Sequence, residues 1–208
     1  MSLVADLKLR FGPVRLPARV YLPAPRALAA GRPTLVVWLA GRKGGDVLCR
    51  DLSAAAAAVV LELPSSGFPI GGGHELAALA WAAEHASEFG VGGGSLVVGG
   101  QLAGAARAAR LALDARDSGW PALRRQLLIR PRFAPLGAAT RGASGSSALL
   151  APCDVASTAP ATIVTGGLRG DDGCRYAATL RGAGVIVQEL VSDARRSLPV
   201  HELARALR

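Results

Sequence analysis

A repeated series of short apolar runs, each followed by a helix-forming stretch, constrains this chain more than any other feature. Residues 34–39 and 58–63 are apolar almost without a break. Such runs suit strands covered on both faces, because half-buried strands alternate apolar and polar residues. Residues 95–98, 127–130, 161–165 and 185–191 also read as strands. Helical patterns fill the gaps at 47–57, 74–88, 103–115, 171–182 and 200–207. Residues 5–10 and 18–22 form two opening strands around Gly12-Pro13. This order predicts an α/β fold with a mostly parallel central sheet and helices on both faces. At 208 residues the chain is long enough for a substantial core, and one domain over 1–208 is expected.

Composition narrows the function classes. Lysine and arginine total 24 against 15 acidic residues, a net charge of +9. Only Lys8 and Lys43 are lysines; the rest of the positive charge is arginine spread along the whole chain. No basic stripe interleaves with aromatics and no nucleic-acid motif appears, so a solvated basic surface is expected and no nucleic-acid partner. No run of about 18 uncharged apolar residues occurs, so no membrane span is expected. The opening residues lack a basic segment followed by an apolar one, so no signal peptide is expected either. Cys49, Cys153 and Cys174 lie far apart without C-x-x-C spacing, which suits free thiols in the cytoplasm. Three scattered histidines add nothing with metal-ligand spacing, and neither metal nor cofactor is expected. Gly71-Gly72-Gly73 lacks a following Gly-Lys-Ser/Thr, and Gly92-Gly93-Gly94 precedes a strand; neither is a phosphate loop.

Functional residues in parallel sheets gather at the carboxyl ends of the strands. Here those ends are 40–44, 64–67, 100–102, 130–133, 166–170 and 192–197. The informative one is Gly99-Gly100-Gln101-Leu102-Ala103-Gly104-Ala105, a strand entering a glycine-flanked turn and then an alanine-rich helix. A nucleophilic serine occupies the tip of such a strand-to-helix elbow. In this chain the tip is Leu102, which has no proton to give up and no lone pair to attack with.

The order and spacing of many short motifs carry a family resemblance over roughly residues 15–197. They include Arg19-Val20-Tyr21-Leu22-Pro23, Leu35-Val36-Val37-Trp38-Leu39, Phe68-Pro69 and Trp81-Ala82-Ala83-Glu84-His85-Ala86. Further along come Trp120-Pro121, Gln126-Leu127-Leu128-Ile129 and Val164-Thr165-Gly166-Gly167-Leu168. Together they resemble the α/β-hydrolase fold, specifically the bacterial hormone-sensitive-lipase-like carboxylesterases. The resemblance implies a Ser-Asp-His triad and a His-Gly-Gly-Gly oxyanion loop. This chain departs at each: Ala40-Gly41-Arg42-Lys43 replaces the loop, Leu102 the serine, Arg169 the aspartate after Leu168, and Arg195-Arg196-Ser197 the histidine region. Asp171 or Asp172 is open to the acid's role but fits better in a helix first turn. His201 falls inside the closing helix, His85 reads as structural, and His74 as a surface or capping residue. The chain is also shorter than a typical member, so minimal or missing cap helices and a shallow, open pocket are expected.

These departures imply a degenerate catalytic triad at Leu102, Arg169 and Arg196, with Gly41, Arg42, Lys43, Gln101, Leu102, Arg169, Arg195 and Arg196 as candidate ligand-binding residues. Arginines in place of an acid and a base remove the proton relay and leave fixed cations suited to carboxylate or phosphate. The leading expectation is a non-hydrolytic relative that binds a small molecule, anionic if the arginines face the cleft, or a protein partner at the former cleft. The resemblance further implies pairing into a homodimer through edge strands or the last helices. A lyase or cyclase using the retained pocket is the enzymatic alternative. Weak carboxylesterase activity through a displaced nucleophile, Ser144, Ser146, Ser147 or Cys153, is the third. The first three of these lie in, and Cys153 just beyond, the irregular Gly/Ala/Ser-rich segment 132–147, the kind of long loop that usually carries function.

Overall fold

A computed structural model describes residues 2–11, 14–25, 33–41, 45–64, 73–133, 152–166, 171–192 and 198–207. Its centre is one eight-stranded sheet. The chain opens with a hairpin of β1 (Leu3–Phe11) and β2 (Val14–Leu22), paired antiparallel over their whole length. Then come β3 (Leu35–Leu39), α1 (Asp46–Ala56), β4 (Val59–Leu63) and α2 (His74–Glu84). They are followed by β5 (Leu96–Gln101), α3 (Ala103–Ser118) and β6 (Arg125–Ile129). The last elements are α4 (Pro152–Val155), β7 (Ala161–Thr165), α5 (Asp172–Gly182), β8 (Val187–Val191) and α6 (Val200–Leu207).

The strand order is β1-β2-β4-β3-β5-β6-β7-β8. β2 joins β4 antiparallel, and every pairing from β4 through β8 is parallel. From β3 the chain crosses first to β4 on one side and then to β5 on the other. The crevice outside the carboxyl ends of β3 and β5 is therefore the topological switch point, where open α/β sheets bind ligands.

Apolar residues on opposite sides of the strands feed two cores. Val37, Leu39, Val98, Leu128 and Ile163 pack against α2, α3 and α5. Val36, Trp38, Val60, Leu127 and Val164 pack against α1 and α6. Because β3 and β4 are buried on both faces, their sequences run apolar without alternation. The buried residues of α3 are Gly104, Leu111, Leu113 and the alanines Ala105, Ala108, Ala109, Ala112 and Ala115; the alanines join high helix propensity to small side chains. No helix among the described residues is long and apolar enough to cross a membrane.

The expected elements are present, with informative shifts. The helix expected over 74–88 ends at Glu84, and a short 3-10 turn (Ala86–Phe89) carries the chain to Gly90, whose left-handed φ of 72° makes the stop. The strand expected at 95–98 continues to Gln101. Gly99 and Gly100 are strand residues, not turn residues, because their neighbours leave no room for a side chain. A Cβ on Gly99 would lie 2.9 Å from the Trp38 ring, and one on Gly100 would lie 2.4 Å from the backbone of Gly104. A Cβ on Gly104 would in turn sit 2.1 Å from the Leu39 carbonyl oxygen. Gly104→Ala is therefore expected to destabilise the fold by about 3 kcal/mol, the upper range for overpacking, measured by urea denaturation. An unchanged midpoint would contradict this contact.

Candidate functional site at the strand-to-helix elbow

Leu102 links β5 to α3 in a backbone conformation that few side chains tolerate, with φ 54° and ψ −118°. The turn is held from several directions. The Leu102 N–H donates to the Ile129 carbonyl (2.9 Å), and the Leu102 carbonyl accepts from Ala106 and Arg132 N–H, both at 3.2 Å. The Gly100–Gly104 approach closes it from beneath. Such conformations cost on the order of 1–3 kcal/mol and persist where surrounding structure over-determines them. This is the sharp elbow that presents a nucleophile above a parallel sheet, and here it presents a leucine side chain that is 37% exposed.

The loop after β3 lies beside the elbow. A side chain added at Gly41 would touch the Gln101 carbonyl oxygen at 3.6 Å, so Gly41 lies beside the residue that precedes Leu102. Ala103, first residue of α3, has an N–H with no acceptor inside its own helix. The loop after β3 and the amino end of α3 thus flank a tip side chain that cannot attack.

Residues overlooked in the sequence hold that loop. Glu62, buried on β4, accepts hydrogen bonds from Gly45 N–H (2.9 Å) and the Tyr21 hydroxyl (2.6 Å). Burial and then the Glu62 carboxylate push the Tyr21 phenol far above its ordinary pKa, so it stays a donor. Gly45 is pressed against Trp38, where a Cβ would lie 2.9 Å from Nε1. At the near end, Arg107 of α3 donates to the Ala40 carbonyl (3.4 Å) while pairing with Glu75 of α2. A lone charge inside the doubly buried run Val59-Val60-Leu61-Glu62-Leu63 was the available signal for Glu62.

On the other side, Arg130 ends β6 with a positive φ of 45°. Its guanidinium donates to the Ser192 carbonyl (3.3 Å) and hydroxyl (3.2 Å), tying the carboxyl end of β6 to that of β8. Arg132, exposed, follows at the rim.

Asp171 and Asp172 are committed to structure. Asp171 is the N-cap of α5 rather than a first-turn residue, accepting from Cys174 N–H (2.7 Å) through Oδ1 and Gly166 N–H (2.8 Å) through Oδ2. Burial favours its neutral form, yet these backbone donors outweigh that effect and hold its pKa below the usual carboxylate range. Asp172, in the first turn as expected, accepts from Phe133 N–H (2.8 Å) and pairs with Arg175. No histidine hydrogen-bonds either carboxylate among the described residues. His85 stacks on Trp81 at 4.2 Å and sits 2.8 Å from that residue's carbonyl through Nδ1, His74 opens α2 behind an N-cap glycine, and His201 lies on α6. Cys49 and Cys174 form no disulfide. Arg42, Lys43, Arg169, Arg195 and Arg196 lie outside the described residues, as do Ser144, Ser146, Ser147 and the side chain of Cys153. A groove of about 350 Å³ lined by Leu22, Pro33, Glu88, Phe89 and Gly90 lies at the amino ends of the parallel strands, opposite the elbow.

The elbow geometry and the sheet order agree with a family model described as the alpha/beta hydrolase fold, which matches residues 38–148. The chain belongs to the alpha/beta hydrolase fold family. Similar solved structures include an esterase from Pyrobaculum calidifontis, 23% identical over 99% of this chain and 84% of that one, TM-score 0.81. A thermophilic, thermostable carboxylesterase cloned from a metagenomic library is 22% identical over 99% and 88%, TM-score 0.80. A thermostable esterase from Pseudomonas putida is 24% identical over 99% and 81%, TM-score 0.77. No curated protein matches the chain in sequence. At these identities the likeness shows the fold of a hydrolase, while the residue at its elbow is Leu102.

Two outcomes follow. Leu102→Gly is expected to stabilise the protein by about 1 kcal/mol through relief of backbone strain, read as a higher melting temperature. Asp171→Ala is expected to cost about 1–2 kcal/mol at pH 7 as a lost N-cap. Because the folded pKa of Asp171 lies below the unfolded value of about 3.9, its stabilisation is fully present above that value and lost as pH falls through the folded pKa. The two proteins should therefore converge in stability toward pH 2, and a gap that persists there would contradict the assignment.

Proposed function

We propose that this chain is a non-hydrolytic member of the alpha/beta hydrolase fold family that holds a small anionic molecule at the former nucleophile elbow. The carrying observation is Leu102: the strained backbone of the elbow with an apolar side chain at its tip. Acyl transfer by this fold needs a nucleophile, a base and an orienting acid acting as one unit. The tip supplies no nucleophile, and the nearby Asp171 carboxylate is spent on backbone donors.

The chemistry left at the site favours negative charge. Helices α1, α2, α5 and α6 carry Asp46, Glu75, Asp172 and Glu202 in their first turns, whereas α3 has no acidic residue there. The positive end of its dipole therefore faces the elbow without a carboxylate of its own. Arg130 and Arg132 border the same turn, and the proposed ligand contacts are Gly41, Arg42, Lys43, Gln101, Leu102, Arg169, Arg195 and Arg196. Fixed arginines suit carboxylate or phosphate oxygens.

The test has two arms. The wild-type protein and Leu102→Ser should both fail to hydrolyse p-nitrophenyl butyrate, and wild type should resist labelling by a fluorophosphonate. Ester turnover by Leu102→Ser alone would sink the non-hydrolytic reading. In the second arm, butyrate and inorganic phosphate are screened by thermal shift. A ligand present at 100 times its Kd adds about 2.7 kcal/mol, a shift that Arg169→Ala/Arg196→Ala should remove. Retention of the full shift in that double variant would reject the arginines as the anion's partners.

A further inference from the structure

The hairpin at the far edge of the sheet carries an arrangement that the elbow does not use. β1 is the outermost strand, paired on one side with β2, and among the described residues nothing pairs with its other side. Asp6, Lys8 and Arg10 share one face of this strand, since side chains alternate with period two. Across the ladder Asp6 faces Arg19, Lys8 faces Pro17 and Arg10 faces Arg15. Asp6 and Arg19 form an ion pair at 2.8 Å. Lys8, Arg10 and Arg15 are exposed, and none of them takes part in an ion pair among the described residues.

Pro17 shows which way the backbone points. Proline has no N–H to give, so it suits an antiparallel pair without ladder hydrogen bonds. Such pairs alternate with bonded ones, and the register runs without a break. Asp6, Lys8 and Arg10 therefore turn their N–H and C=O groups outward, away from β2. In non-bonded pairs the Cα atoms are about 4.5 Å apart and the side chains are closest. Arg10 and Arg15 are thus like charges directly opposite each other, a pairing that destabilises a sheet. Charges on an edge strand commonly guard it against unwanted pairing. That accounts for Lys8 and Arg10 but not for Arg15, which lies on the inner strand and adds only repulsion to the free protein.

We propose that the β1 edge binds an acidic, extended segment of a partner protein as an added strand. The outward N–H and C=O groups of Asp6, Lys8 and Arg10 form the new ladder. Carboxylates at every second residue of the incoming strand lie beside Lys8 and Arg10, because side chains two apart repeat at about 6.6–6.8 Å on both chains, and Arg15, directly across from Arg10, adds its charge to the same face. The backbone donors favour a peptide over nucleic acid or lipid headgroups, which have use for the cations alone.

The probe is a fluorescein-labelled octapeptide of alternating Glu and Thr, titrated with the full chain by fluorescence anisotropy. Arg10→Gln/Arg15→Gln should weaken binding by about tenfold or more, while Arg15→Gln alone should raise the melting temperature of the free protein. Lys8→Pro removes an outward N–H at a place where an edge strand tolerates proline, and it should lose more affinity than Lys8→Gln. Slowed amide exchange at Lys8 and Arg10 in the peptide-bound wild type gives the same answer if Lys8→Pro does not fold. The proposal is overturned if the peptide does not bind, if folded Lys8→Pro binds as well as Lys8→Gln, or if those amides are unprotected. Equal binding of an oligothymidylate, or of anionic vesicles, would assign the cations to a polyanion instead. Closure of the edge by a second copy, seen as a dimer in sedimentation that Lys8→Pro dissolves, would also overturn it.

Discussion

The close approach of three backbone segments, Leu39, Gly100 and Gly104, is the constraint from which the rest of this structure follows. With the Gly104 Cα against the Leu39 carbonyl and Gly100 against Gly104, α3 enters directly over the carboxyl ends of β3 and β5. One residue is left to reverse the chain between strand and helix, and that residue must take a positive φ. The strain at Leu102 is thus a consequence of packing beneath it and not of the chemistry above it. Any side chain placed there inherits the conformation, so the elbow holds its shape with leucine at the tip.

The same constraint organises the neighbours. α3 lies close to the sheet at its amino end because Gly104 and Ala105 are small there, and the loop after β3 must leave past the elbow because β3 and β5 are adjacent. Glu62 and Arg107 then fix the two ends of that loop from opposite sides of the sheet. Burying a carboxylate without an ion-pair partner is costly unless hydrogen bonds satisfy it. The Tyr21 hydroxyl, the Gly45 N–H and the amino end of α1 together provide that compensation.

How much of this was legible in the sequence depended on whether the determining interaction was local. Doubly buried strands announce themselves as unbroken apolar runs, and the order of strands and helices sets the class of the sheet. Gly99 and Gly100 look like turn residues because glycine usually signals a turn; they are strand residues because Trp38 and Gly104 crowd them, contacts distant in sequence. Asp171 was placed one residue too far along, as the difference between an N-cap and a first turn lies in a φ/ψ change that composition does not carry. Arg130 read as a strand end, and nothing local indicated that its guanidinium would reach over to Ser192. The short helix α4 lies next to an irregular stretch with no hydrophobic period, so no pattern marked it.

On the proposed non-hydrolytic reading, the leucine at the tip changes what the elbow is suited to hold. In a serine hydrolase the amino end of the elbow helix and the backbone donors beside it stabilise negative charge that exists only in the transition state. On that reading no such charge develops at the elbow, and the donors beside it face a position where none is created. A preformed anion can fill that position in the ground state, with the donors fixed and no bond made. An aspartate in the first turn of α3 would have neutralised the helix end, as Asp46, Glu75 and Asp172 do on their own helices. The first turn is Ala103-Gly104-Ala105-Ala106 instead, small enough for the packing beneath and uncharged toward the cleft. Packing alone accounts for Gly104 and Ala105, which are buried, but Ala103 is exposed, and there an acidic residue would fit without a clash. Its absence at that one open position is consistent with a site that accepts an anion from outside the chain.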